Sequence, residues 1–178
     1  MFYSSLVKPF LFLKEAESAH EAAISMAETA SSSALINRLT RMVFRSNNRG
    51  LNQHFFGLTF PNPVGLAAGF DKNGTTPIAM QALGFGFVEI GSITAKAALG
   101  NAKPRAFRLP SDRSLINRMG LNNEGADIII PRLAKLDLSI PLGVNIAKTN
   151  DLSIHGDAAI QDYLYSYEKA HAVADYIT

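Results

Sequence analysis

Along the first 45 residues, apolar side chains recur at three- and four-residue intervals, the spacing of one face of a helix. Phe2, Leu6, Phe10 and Leu13, with Tyr3 and Val7 beside them, predict a short amphipathic helix. Ala19, Ala23, Met26 and Ala27 form the apolar stripe of a second helix over about residues 17–30. Ser31, Ser32 and Ser33 break and recap the chain, because a serine hydroxyl can accept from N–H groups left free at a helix start. Leu35, Ile36, Leu39, Met42 and Val43 mark a third helix, ended by Ser46-Asn47-Asn48-Arg49-Gly50. Residues 1–45 therefore read as a small helical unit, and residues 46–178 as a second region.

In that second region the pattern changes to short β-branched and aromatic runs separated by helical stretches. Residues 53–60 predict a hairpin and residues 64–67 a buried strand. A helix near 76–83, a strand at 87–90, a helix near 123–136 and a strand at 142–146 follow. A last helix over about 158–174 leads into the opening of a fourth strand at Asp175-Tyr176-Ile177-Thr178. Alternating strands and helices argue for a parallel sheet with helical crossovers, an α/β fold. The long insertion over residues 92–122 follows the second of these strands, where loops line the active face of a β/α barrel. A closed (β/α)8 barrel takes about 250 residues, whereas about 130 follow the helical unit here. The expectation is three βα units and a stub, the N-terminal part of a TIM barrel that is incomplete in this chain.

Composition narrows the function classes. Hydrophobic residues make up 47% and charged residues 18%, which fits a packed domain and argues against disorder. Lys and Arg number 17 against 15 Asp and Glu, a formal charge of +2 without long runs of one sign, so no nucleic-acid footprint is indicated. Without cysteine, the chain holds no disulfide, thiolate nucleophile or Cys-ligated zinc. Its four histidines, His20, His54, His155 and His171, form no helical i, i+4 metal pair, so no metal is expected. The longest early apolar run, Phe10-Leu11-Phe12-Leu13, is far short of the ~20 residues that span a bilayer. Lys8 and Lys14 interrupt any signal-peptide core, and the protein is expected to stay on the cytoplasmic side.

Candidate chemistry begins in PNPVGLAAGFDK at residues 61–72, where a predicted strand runs into small residues and then Lys72. Small residues either make a tight turn or let a flat cofactor or phosphate approach the backbone. A lysine at the strand's end is either a solvated loop residue or a cation that stabilises negative charge on a reduced flavin and binds a substrate carboxylate.

Three more stretches bear on the choice: FGFVEIGS at 85–92, KPRAFRL at 103–109 with INRMGLNN at 116–123, and GVNIAK at 143–148. With residues 65–72, in this order and spacing, they closely resemble the quinone-linked, membrane-associated class of dihydroorotate dehydrogenases over nearly the whole chain. The resemblance implies an FMN-containing (β/α)8 barrel that oxidises dihydroorotate to orotate in pyrimidine (UMP) biosynthesis and passes the electrons to a quinone. It places Ala68, Gly69, Phe70, Asp71 and Lys72 against FMN, with Ser92 and Asn145 adding hydrogen bonds. Lys72, Asn117, Arg118, Met119, Gly120 and Leu121 would hold the substrate. An amide such as Asn117 offers donors and an acceptor to the edges of a pyrimidine ring, or simply caps its own loop.

The resemblance also implies a serine base, in an Asn-Ile-Ser-Ser-Pro-Asn-like segment after the fourth strand, beyond Thr178 and outside this sequence. The N-terminal helices would form a peripheral unit on the inner (plasma) membrane, with His20 and Arg108 lining the quinone tunnel. Their alternative role is to pack on the barrel. Departures from the family pattern are Glu15-Ala16 at the second helix start, Ala95 and Ala97 after Thr94, and Leu121 in place of phenylalanine. Two functions stay open: a segment of the enzyme, or a truncated noncatalytic protein that binds flavin or a membrane surface.

Overall fold

A computed structural model describes residues 3–46 and 48–178; Met1, Phe2, Asn47 and the side chains of Tyr3 and Ser4 lie outside what it describes. A π-helical turn over Tyr3–Val7 continues into α1 (Lys8–Phe12). Helices α2 (Ala16–Ser31) and α3 (Ala34–Phe44) follow. Ser33 accepts from the Ile36 N–H at the start of α3, as its position predicts. Glu15, at the start of α2, makes no such cap to the backbone. The expected stripe on α2 is interrupted: Met26 is exposed, and the residue that buries best is Glu17.

Beyond a 3-10 turn at Arg49–Leu51, β1 (Gln53–Phe55) and β2 (Leu58–Phe60) pair antiparallel as the expected hairpin. The main sheet then assembles from β3 (Gly65–Leu66), β4 (Phe87–Ile93), β7 (Leu142–Ile146) and β8 (Tyr176–Ile177), all parallel and in that spatial order. Helices α4 (Pro77–Ala82), α5 (Ala126–Leu133) and α6 (Asp157–His171) make the successive crossovers. Between β4 and α5 the insertion folds its own antiparallel hairpin, β5 (Ala106–Leu109) with β6 (Ser114–Asn117).

Alternation along the strands divides the sheet into two faces. Val88, Ile90, Leu142 and Val144 pack with Ile129, Ile130 and Leu133 of α5 in the fully buried core. Phe87, Glu89 and Tyr176 turn to the opposite face, where Gly65 and Gly143 leave room for the rings: a Cβ at either would lie 2.2 Å from Phe87 or Tyr176 carbons. The segment expected as a buried first strand is less covered than that, with Val64 60% exposed. The reason is its place in the sheet, since β3 is an edge strand with β4 alone beside it.

The helical unit is bound to the rest by polar contacts as well as packing. Arg105, just before β5, forms an ion pair with Glu17 of α2 at 2.7 Å, with side chains 6% and 2% exposed. Ser31 accepts from the Ala79 N–H of α4, and Arg108 donates to the Lys14 and Leu11 carbonyls. The Arg105 hydrogen bond holds the Glu17 carboxyl below its ordinary pKa. A depressed carboxylate contributes stability above its unfolded pKa and loses it as pH falls through the folded value. Glu17→Gln should therefore flatten the acid side of the stability–pH curve, most visibly below about pH 4.5, in denaturant titrations across pH. An unchanged acid slope would contradict the assignment.

Candidate functional site

Because the four strands are parallel, their C-terminal ends lie at one edge of the sheet, where loops build active sites in such folds. After β3 the chain runs through Ala67 and Ala68 to Gly69, whose φ of 101° disfavours a side chain although nothing would crowd a Cβ there. The Gly69 N–H donates to the Gly91 carbonyl at 2.7 Å, tying this turn to the end of β4. Asp71 is 1% exposed, and its carboxylate accepts from the Thr75 and Thr76 N–H groups and from the Thr76 hydroxyl. That carboxylate is thus spent on the loop leading into α4, which leaves only the Asp71 backbone to face a ligand. Asp71→Ala should cost about 2–3 kcal/mol, seen as a lowered Tm with little change in the residues lining the cavities nearby.

Lys72 follows, half-buried. Burial lowers its ammonium pKa below the ordinary lysine range, and the charge of Glu17 opposes that effect. Among the described residues no hydrogen-bond acceptor serves it. A cavity of about 190 Å³ gathers Lys72 and Gly69 with Ala16, Glu17 and His20 of α2 and with Leu115, Asn117 and Met119 of the insertion. His20 packs edge-on against Phe70, with ring centroids 5.1 Å apart. Burial, and then the Lys72 charge, lower its pKa and favour the neutral ring.

Ser92 at the end of β4 and Asn145 at the end of β7 come together, the Ser92 hydroxyl donating to the Asn145 side-chain carbonyl. The Asn145 amide donates in turn to Glu89 at 3.3 Å, and the Tyr176 hydroxyl donates to the other Glu89 oxygen. Burial and this carboxylate push the Tyr176 phenol well above its usual range.

Asn117 closes β6, and its side chain accepts from the Met119 N–H at 3.4 Å, so it does cap its own loop while lining the cavity. Gly120 has φ 76°, and a Cβ there would lie 2.6 Å from the Asn101 nitrogen. Leu121 takes φ 55°, an uncommon conformation for a leucine. Arg118 is exposed and Met119 partly covered. Arg108 is turned to the helices, over the Phe12 ring at 4.7 Å, while His20 faces the cavity. The two residues expected to line one tunnel are therefore both at the helical unit, each with a different partner.

Reasoning from sequence missed Glu17, Glu89, Arg105 and Asn123. Asn123 accepts from Thr94 and Gly125 N–H groups and donates to the Thr94 hydroxyl and Leu121 carbonyl. Glu89, Arg105 and Asn123 lie in the stretches FGFVEIGS, KPRAFRL and INRMGLNN, and that was the signal available for them.

The chemistry of these residues fits a flat anionic cofactor and a carboxylate-bearing ligand. The turn after β3 is open at Gly69, the Lys72 cation has no hydrogen-bond acceptor among the described residues, and Ser92 with Asn145 offers polar groups at the neighbouring strand ends.

Residues 50–178 match the family model for dihydroorotate dehydrogenase. A dihydroorotate dehydrogenase (quinone) from Natronomonas pharaonis is 47% identical over 171 residues, covering 96% of this chain and 48% of the relative. One from Xylella fastidiosa (strain M23) is 46% identical over 175 residues, covering 98% and 48%. Among solved structures, a ligand-free DHODH from Eimeria tenella superposes with a TM-score of 0.75 at 37% identity, covering 90% of this chain and 44% of that one. The chain spans about half the length of the curated relatives it matches, in keeping with four strands of a larger barrel. By family model, relatives and fold together, this chain belongs to the dihydroorotate dehydrogenase family.

Proposed function

We propose that the protein built on this chain oxidises dihydroorotate to orotate with a quinone as electron acceptor, as a step in pyrimidine biosynthesis, and that FMN is its cofactor. The observation that carries the reading is the half-buried Lys72, with no hydrogen-bond acceptor among the described residues, in one cavity with Gly69, Asn117 and His20. FMN, when bound, supplies the two-electron acceptor for the hydride leaving C6 of dihydroorotate. Gly69 would admit it close to the backbone, Ser92 and Asn145 would offer hydrogen bonds, and Ala68 and Phe70 would border it. Lys72 binds the substrate carboxylate and stabilises negative charge beside it, a role worth most in a site shielded from water. Asn117 presents its amide to the pyrimidine edge, and residues 118–121 complete that wall. The base that takes the C5 proton is expected outside residues 1–178.

Residues 1–45 serve as the quinone-access and membrane-facing unit, and residues 46–178 as the first βα units of the barrel. Supporting this, Met42 and Val43 on α3 are 74% and 75% exposed, with Phe10 and Leu13 of the first helical segment also uncovered. No helix among the described residues is long and apolar enough to cross a membrane. Such a surface suits peripheral membrane attachment, which the proposed function assigns to the cytoplasmic side of the inner membrane. Met42→Glu with Val43→Glu should reduce co-sedimentation with lipid vesicles while changing stability by no more than about 0.5 kcal/mol; full vesicle binding would remove this face of α3 from the attachment.

The direct test of the function is steady-state orotate formation by the complete protein with a quinone, with NAD or with fumarate as acceptor. Turnover with the quinone alone is expected, and turnover that depends on NAD or fumarate would overturn the reading.

A further inference from the structure

We propose that Arg105, locked in place by Glu17, is the positioning residue for the substrate loop at residues 117–121, so that the seating of α2 sets the geometry of that loop. The inference rests on the proposed function for the identity of the substrate, but its structural basis is independent of it.

Arg105 uses its whole guanidinium fork. Nε donates to both Glu17 oxygens at 3.1 and 3.2 Å, and Nη2 donates to Oε1 at 2.7 Å. Nη1 points the other way, to the carbonyls of Leu99 at 2.7 Å, Asn101 at 2.9 Å and Met119 at 3.4 Å. The Arg105 carbonyl accepts from the Arg118 N–H at 2.8 Å. One side chain thus joins α2 to both strands of the loop that carries Asn117. Gly100 makes the approach possible, because a Cβ there would lie 2.5 Å from Arg105 Nη1 and 2.3 Å from the Met119 carbonyl.

The neighbouring ties stay within the barrel region. Asn101 donates to the Arg118 carbonyl, Asn150 to the Gly120 carbonyl and Asn123 to the Leu121 carbonyl. Of these ties, that made by Arg105 to Met119 alone leads to the helical unit, and it does so through a buried ion pair. Lys103 also reaches Glu17 and Glu21, but its side chain is 52% exposed, and screened surface pairs contribute little. A lysine cannot replace Arg105, since a point charge on a flexible stem cannot bridge a carboxylate and three carbonyls at once. Displacing a substrate-binding loop by as little as an ångström is enough to cost catalysis heavily.

The test uses the complete protein with Arg105→Lys, Glu17→Gln and, as control, Lys103→Ala. Two readouts are taken: KM for dihydroorotate against KM for the quinone, and amide hydrogen exchange over residues 99–121 without substrate. The expected result is a KM for dihydroorotate raised on the order of tenfold or more in the first two variants. The quinone KM should rise less than the dihydroorotate KM, exchange should be faster in residues 99–121 but not in α6, and Lys103→Ala should behave as the parent. Parental exchange and parental dihydroorotate KM in Glu17→Gln would overturn the proposal, as would a change confined to the quinone KM. If Arg105→Lys does not fold, Glu17→Gln decides by the same criteria. If the parent itself forms no orotate, the function reading fails and the exchange readout alone decides the positioning claim.

Discussion

Residues 1–178 expressed alone should form no orotate, even with excess FMN, dihydroorotate and a quinone or dye acceptor. The loop after β3 and the end of β7 present Lys72 and Asn145 at one end of the parallel sheet, and the β5–β6 hairpin adds Asn117, but β3 and β8 each have a neighbour on one side only. Phe55, Phe56, Phe87 and Tyr176 line an apolar cleft of about 610 Å³ on the face opposite the helices. In a (β/α)8 enzyme that face is the packed barrel interior, and the phosphate site commonly draws on loops after the seventh and eighth strands. The isolated segment should therefore bind flavin weakly, lack the base and associate through its open edges. Reproducible orotate formation, with the host's own enzyme excluded, would show that the chemistry does not need the rest of a barrel.

Lys72→Ala in the complete protein should lower turnover by about 10²- to 10³-fold, the scale seen when one preorganised charge-stabilising group is removed from a shielded site. The argument rests on the lysine's surroundings. It is half-buried without a hydrogen-bond acceptor among the described residues, so a ligand anion is its natural partner. Burial already lowers its pKa, so the active ammonium form is lost as pH rises, earlier than for an exposed lysine. Turnover should accordingly fall on the alkaline side in the parent, and Lys72→Arg should move that fall upward while keeping part of the rate. Near-parental turnover in Lys72→Ala would remove Lys72 from the site.

Much of this architecture was legible in the sequence where one periodicity dominated. Val88 and Ile90, then Leu142 and Val144, alternate because the helices cover one face of their strands, and all four lie in the core. The hairpin of β5 and β6 escaped notice since Ser114, Leu115, Ile116 and Asn117 are all exposed and carry no inside–outside contrast. Lys72 stood out through its motif. Glu17 and Arg105 did not, for an ion pair between residues 88 positions apart leaves no local pattern, and an acid in a first helical turn reads as surface. That pair also changes how the helical unit should be tested. Deleting residues 2–45 would strand the buried Arg105 beside the loop at residues 117–121, so substitutions on the exposed face of α3 separate membrane attachment from loop damage more cleanly.

The claim that Lys72, Gly69, Ser92 and Asn145 serve a flavin reduced by dihydroorotate is tested most directly by one spectrum. The complete protein should purify with visible flavin absorbance, lose it on anaerobic addition of dihydroorotate and regain it on addition of a quinone. A protein that purifies without flavin and takes none up, or whose flavin absorbance is untouched by dihydroorotate, would contradict the account.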